Sequence, residues 1–97
     1  MPSRRDVDIL HALFMELARL RYGGNDKWPK VTVYQKTSSF FSAGALGAFA
    51  NVLNKLEPMK SDGVLLHPDD IRHAKTVGNI FGAILGAYEK AGWTITP

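Results

Sequence analysis

Three glycines at four-residue spacing, Gly78, Gly82 and Gly86, fall inside the most clearly helical segment of the chain. A glycine in a helix interior costs about 1 kcal/mol relative to alanine, so the trio costs roughly 3 kcal/mol of helix propensity. Four-residue spacing lines them along one side of the helix, as a groove without side chains. The natural compensation is a second backbone lying close in that groove. The expected neighbour is a second helix of the same chain, whose Gly44, Ala45, Gly47 and Ala48 are similarly small, or a symmetry-related copy.

The rest of the pattern predicts a mainly α fold. We expect one compact domain over residues 1–97, built of three helices with one or two short extended segments. The first helix is expected from Ser3 or Asp6 to Tyr22. Its apolar stripe is Val7, Leu10, Leu13, Phe14, Leu17 and Ala18, with Glu16 off its centre. Ser3 and Asp6 resemble a capping box, and Gly23-Gly24 supplies a left-handed stop. The second helix is expected from Ser38 or Ser39 to just before Pro58, with Ala43, Leu46, Phe49, Ala50, Leu53 and Leu56 as its stripe. The third is expected to start at Pro68 and run unbroken to Lys90. Asp69 and Asp70 complement its positive end, Leu66 staples onto Ile71, and Gly92 sets Trp93 against Tyr88. Val31-Thr32-Val33-Tyr34-Gln35 and Trp93-Thr94-Ile95-Thr96 alternate as strands do, and together they could form a minor two-stranded ribbon leaning on the helices.

A chain of 97 residues buries only about 60–65% of its unfolded surface, yet 45% of this one is hydrophobic and 22% charged. That surplus predicts a partner or a second copy, and a homodimer is the commonest solution. There is no cysteine, which excludes disulfides, thiolate zinc sites and a cysteine nucleophile. Asp6, Asp8, His11 and Glu16 interrupt the N-terminal region, so no signal peptide is expected. Residues 40–53 fall short of the ~20 apolar residues a membrane span needs. The expected location is cytoplasmic, with no membrane partner.

No reaction chemistry is patterned into the chain. His67 and His73 flank Asp69 and Asp70, but only His11 remains as a further histidine, and the aspartates serve a helix terminus. Ser38, Ser39 and Ser42 lie where hydroxyls cap amides, outside any nucleophile elbow. The glycines open no phosphate loop. We therefore expect no enzyme activity, no metal and no cofactor.

Charge is uneven: residues 19–56 carry six cations against Asp26, a net of +5, whereas 1–18 and 57–97 each sum to −1, giving the total of +3. Arg19, Arg21, Lys27, Lys30 and Lys36 interleave with Tyr22, Trp28 and Tyr34, a mixture suited to phosphates and unstacked bases. Nucleic-acid binding through segment 19–36 is accordingly the alternative reading. Against it, neither later helix lines up polar side chains for a major groove.

Protein binding is the preferred reading. Adjacent helical residues point about 100° apart, so Phe40 and Phe41 cannot both face one core. With Trp28 and Tyr34 from the preceding segment they form the expected partner-binding patch, since aromatic anchors dominate most interfaces. The expected function is a small regulator that binds and masks or remodels another protein, such as an antagonist of a transcription regulator or of another effector.

Overall fold

The computed structural model describes residues 2–42 and 44–97. The chain opens with a short strand, β1 (Ser3–Arg5), which leads directly into α1 (Asp6–Tyr22). A 3-10 segment (Asn25–Lys30) then folds back along α1, and a second one (Thr37–Ser39) leads toward α2 (Ala45–Leu53). Two single-turn helices follow, α3 (Met59–Asp62) and α4 (Pro68–Ile71), before α5 (Val77–Lys90) and the closing strand β2 (Thr94–Thr96). The mainly α class with a minor two-stranded ribbon is what the chain adopts.

The ribbon keeps the expected C-terminal strand but pairs it with a different partner. β1 pairs parallel with β2, in the register Ser3 with Thr94, Arg4 with Ile95 and Arg5 with Thr96. Ser3 is thus a strand residue, and the residue before α1 is the extended Arg5, with no side-chain cap. Residues 31–35 make a turn. The Thr32 N–H donates to Gln35 Oε1 at 2.8 Å, and the Gln35 N–H reaches the Thr32 carbonyl at 3.4 Å. The carbonyls of Gln35 and Val33 accept the N–H groups of Val77 and Gly78, both at 2.9 Å. A helix leaves its first N–H groups without internal partners, and this turn supplies two.

The long third helix is broken at residues 72–76. Thr76 is the N-cap of α5: its hydroxyl accepts the Asn79 N–H at 3.2 Å, and Asn79 Oδ1 accepts the Thr76 N–H at 3.1 Å. This reciprocal pair is a capping box with asparagine in the usual Glu/Gln position. The break leaves Lys36 bridging to Thr76 in antiparallel fashion, with the Thr37 N–H on the Lys75 carbonyl at 3.0 Å. Thr37 is buried, and its hydroxyl donates to the Ala74 carbonyl at 2.8 Å. Ser38 and Ser39 belong to that turn and do not start α2, which begins only after Gly44 at φ 87°. Ala43, the first residue of the expected stripe, lies outside the described residues.

The core gathers Ile9, Leu13 and Leu17 from α1, Leu46, Phe49, Ala50 and Leu53 from α2, and Val77, Ile80, Ile84 and Tyr88 from α5, with Leu66 and Ile71 at α4. The stripe of α1 is rotated from the expected one. Ile9 is fully buried while Val7 is 45% exposed, and the Val7, Leu10 and Phe14 side lines an open hollow with Trp28. Glu16 is buried too, its carboxylate held by the Arg19 guanidinium. Two stops fall where the glycines predict them. Gly23 has φ 81°, and at Gly92 (φ 90°) the Trp93 N–H closes on the Tyr88 carbonyl at 3.0 Å. Trp93 meets Tyr88 edge to face, centroids 5.6 Å apart.

The glycine groove of α5 does not receive α2. A Cβ at Gly78 would sit 3.2 Å from the Val33 carbonyl oxygen, so a backbone does approach there, but it is the 31–36 turn. Nothing lies within 4 Å of a Cβ at Gly82 or Gly86. Of the small residues at α2, Gly47 is covered by α4, with the Pro68 carbonyl 3.6 Å from a Cβ there, whereas Ala48 is exposed.

Candidate functional site

The four aromatic residues expected to form one patch are divided among three places. Trp28 sits edge-on to His11 with centroids 4.9 Å apart, in a hollow of about 360 Å³ lined also by Val7, Leu10 and Phe14. Tyr34, 86% exposed, occupies the tip of the 31–36 turn. Phe40 and Phe41 follow the second 3-10 segment, both half-buried, in the bent entrance to α2. Phe40 lies under the Arg21 guanidinium, 5.9 Å from ring centre to Cζ. His11 and Arg21 are ten residues apart on α1, so the Trp28 and Phe40 sites are separated by about 15 Å along that helix. The structure brings Phe40 and Phe41 together, ring centres 6.5 Å apart, and leaves Trp28 and Tyr34 away from them.

Phe41 reaches a second open apolar surface, apart from the Trp28 hollow. Its ring packs on Phe49 at 4.7 Å and forms, with Leu20, Ala45, Ala48 and Val52, a shelf spanning α1 and α2 around a hollow of about 240 Å³. Leu20 is 44% and Val52 38% exposed, and Ala48 is open as well. The Glu16–Arg19 ion pair borders the shelf. Sequence periodicity assigns α2 an inward stripe; that its outer side joins Leu20 follows only from the crossing of α1 and α2.

Several cations of the 19–36 segment are used within the fold. Arg19 is held by Glu16, whose hydrogen bonds raise the guanidinium above its ordinary pKa. Arg21 donates to the Ser39 carbonyl. Lys30 Nζ lies 5.4 Å from the centre of the Tyr22 ring, and the Tyr22 hydroxyl accepts from Gln35 Nε2 at 3.3 Å, which holds the phenol below its usual range.

Lys36 instead joins a basic groove that sequence order conceals. Lys36, Arg72, His73 and Lys75 line a cleft of about 560 Å³ together with the hydroxyl residues Thr37, Ser38, Ser42 and Thr76. Phe41, Leu46 and Ala74 give it an apolar floor, Gly44 before α2 borders it, and no carboxylate lines it among the described residues.

A second polar cluster closes the opposite end of the molecule. Arg4 donates to both oxygens of Asp62, Nε and Nη2 each at 2.8 Å, and the Tyr88 hydroxyl donates to Asp62 Oδ2 at 2.6 Å. The Asp62 side chain is only 5% exposed. Hydrogen bonding from Arg4 holds its carboxyl below the usual carboxylate range, and burial pushes the Tyr88 phenol well above its own. The triad is fully engaged internally and reads as a clasp between the chain ends. Read alone, Asp62-Gly63 signals only a turn.

Among the described residues, no three His, Asp or Glu side chains gather closely enough to hold a metal ion. No helix among them is long and apolar enough to cross a membrane. No protein-family model, curated protein or solved structure matches the chain.

Proposed function

We propose that this chain is a non-enzymatic protein-interaction module, a small cytoplasmic regulator that binds another protein and masks or remodels it. The observation that carries this reading is the uncovered shelf of Leu20, Phe41, Ala48 and Val52. Apolar side chains held open on a fold that has its own filled core are what an association surface requires. Internal use of Arg19, Arg21 and Lys30 removes much of the free charge on which nucleic-acid binding through segment 19–36 depends. We assign the bare side of α5, at Gly82 and Gly86, to a second copy of the chain, giving a homodimer at micromolar concentration.

Affinity capture from native lysate, at low and high salt and with nuclease, tests the reading. An apolar contact tolerates salt that would strip a phosphate-bound complex. A partner retained at high salt after nuclease, and lost from Phe41→Ala and Leu20→Ala proteins that keep their helical spectrum, is the expected result. Each truncation is expected to cost about 2 kcal/mol of affinity at a hot spot. Capture abolished by nuclease would transfer the function to nucleic acid.

A further inference from the structure

The basic groove and the apolar shelf adjoin through a shared lining residue. Phe41 lines both, and they meet across the first residues of α2, where Gly44 belongs to the groove and Ala45 to the shelf. Three cations stand along the groove with no carboxylate among its described lining residues. Arg72 has a counter-ion in Asp69 at 3.0 Å, whereas Lys36 and Lys75 form no ion pair among the described residues. Their backbones are pinned side by side by the Lys36–Thr76 bridge and the Thr37–Lys75 hydrogen bond. An exposed cationic lining of this kind attracts an anionic ligand.

Resting on the reading above, we propose that the partner presents an acidic amphipathic segment, whose apolar residues lie on the Leu20–Phe41–Val52 shelf and whose carboxylates enter the groove beside Lys36, Arg72 and Lys75. The apolar floor of Phe41, Leu46 and Ala74 suits such a segment. A single-stranded nucleic acid needs aromatic faces on which bases stack. Of the two rings in the lining, Phe41 already carries Phe49 and His73 offers a single imidazole, while the exposed Tyr34 lies outside the groove. Hydroxyls of Ser38 and Ser42 and the positive end of α2 add donors for carboxylate oxygens.

The test uses three labelled probes in fluorescence anisotropy. One is a synthetic peptide of about 18 residues, ~27 Å as a helix, with leucine at i, i+3, i+4, i+7 spacing and glutamate elsewhere. The second has lysine in place of every glutamate, and the third is an oligothymidylate of the same length. The whole chain is expected to bind the glutamate peptide in preference to both others. Lys36→Glu/Lys75→Glu and, separately, Val52→Asp should each weaken it about tenfold or more, because one removes the charge match and the other the apolar seat. All three positions are exposed, and circular dichroism confirms that the variants fold. No binding of the glutamate peptide, equal binding of either other probe, or unchanged affinity in both variants overturns the proposal. A native partner lost with Phe41→Ala but retained by Lys36→Glu/Lys75→Glu overturns the acidic segment and leaves the interaction module standing. Nuclease-sensitive capture overturns the module itself.

Discussion

Gly78 and Gly82 are chemically identical and four residues apart on α5, yet the structure gives them opposite roles. Gly78 is crowded by the Val33 carbonyl, which would stand 3.2 Å from an added Cβ and already accepts the Gly78 N–H. At Gly82 the space is empty. Gly82→Ala should therefore stabilise the monomer by about 1 kcal/mol through helix propensity alone, while Gly78→Ala should gain nothing or lose stability as the 31–36 turn is forced away. Urea denaturation at concentrations below the dimer range reads both. A destabilised Gly82→Ala monomer would mean that the groove is filled within the chain. In sedimentation experiments the bulkier Gly82→Leu is expected to abolish the dimer, since two backbones can no longer approach there.

At the scale of elements, the decisive feature is the break between α4 and α5. A continuous helix from Pro68 to Lys90 would use the Thr76 N–H internally and leave Thr37 without its carbonyl acceptors at Ala74 and Lys75. Thr76 and Asn79 stabilise the alternative by capping, and the 31–36 turn covers the amides that the break exposes. Thr76→Ala removes the hydroxyl acceptor and should cost about 1 kcal/mol, with Thr76→Ser recovering most of it. If α5 were nucleated through the break, both variants would match the parent in thermal melting. The same break sets Lys75 beside Lys36, so capping and the basic groove share one cause.

For the whole molecule, closure depends on the chain ends. β1 and β2 pair in parallel, and Arg4, Asp62 and Tyr88 tie β1 to α3 and α5. Asp62→Asn leaves Arg4 and the Tyr88 hydroxyl with a poorer acceptor and should cost about 2–3 kcal/mol at neutral pH. The sign with pH follows from the lowered Asp62 pKa. Its contribution is complete above the ordinary carboxylate value of about 4 and is lost as pH falls through the lower folded value. Tyr88, raised by burial, contributes below about pH 10 and loses its contribution as pH rises through the higher folded value. The stability difference between parent and Asp62→Asn should accordingly narrow in acid. A difference that stays constant from neutral pH down to strong acid would show that the substitution acts through packing.

What the sequence by itself determined are features whose causes lie within a turn or two of chain. The helical class, the left-handed stops at Gly23 and Gly92 and the Trp93–Tyr88 contact all follow from spacing and local sterics, whereas Phe40 and Phe41 lie outside any helix and both pack against the core. The Thr76–Asn79 box was equally local and was legible, but the longer apolar period of the third helix masks it. Only tertiary structure decided the rest. Residues 31–35 alternate like a strand but are drawn to cap α5, and the core takes Ile9 of α1 while Val7 stays on an open side with Trp28. β1 is matched to β2 from the far end of the chain. The candidate surface belongs to this second group: Leu20, Phe41 and Val52 come from separate segments, and Lys36 meets Arg72 and Lys75 across more than thirty residues of sequence. Periodicity reports which face of an element is apolar. Which faces remain open is set by how the elements cross, because burial of one side of a helix is a property of its neighbour as much as of itself.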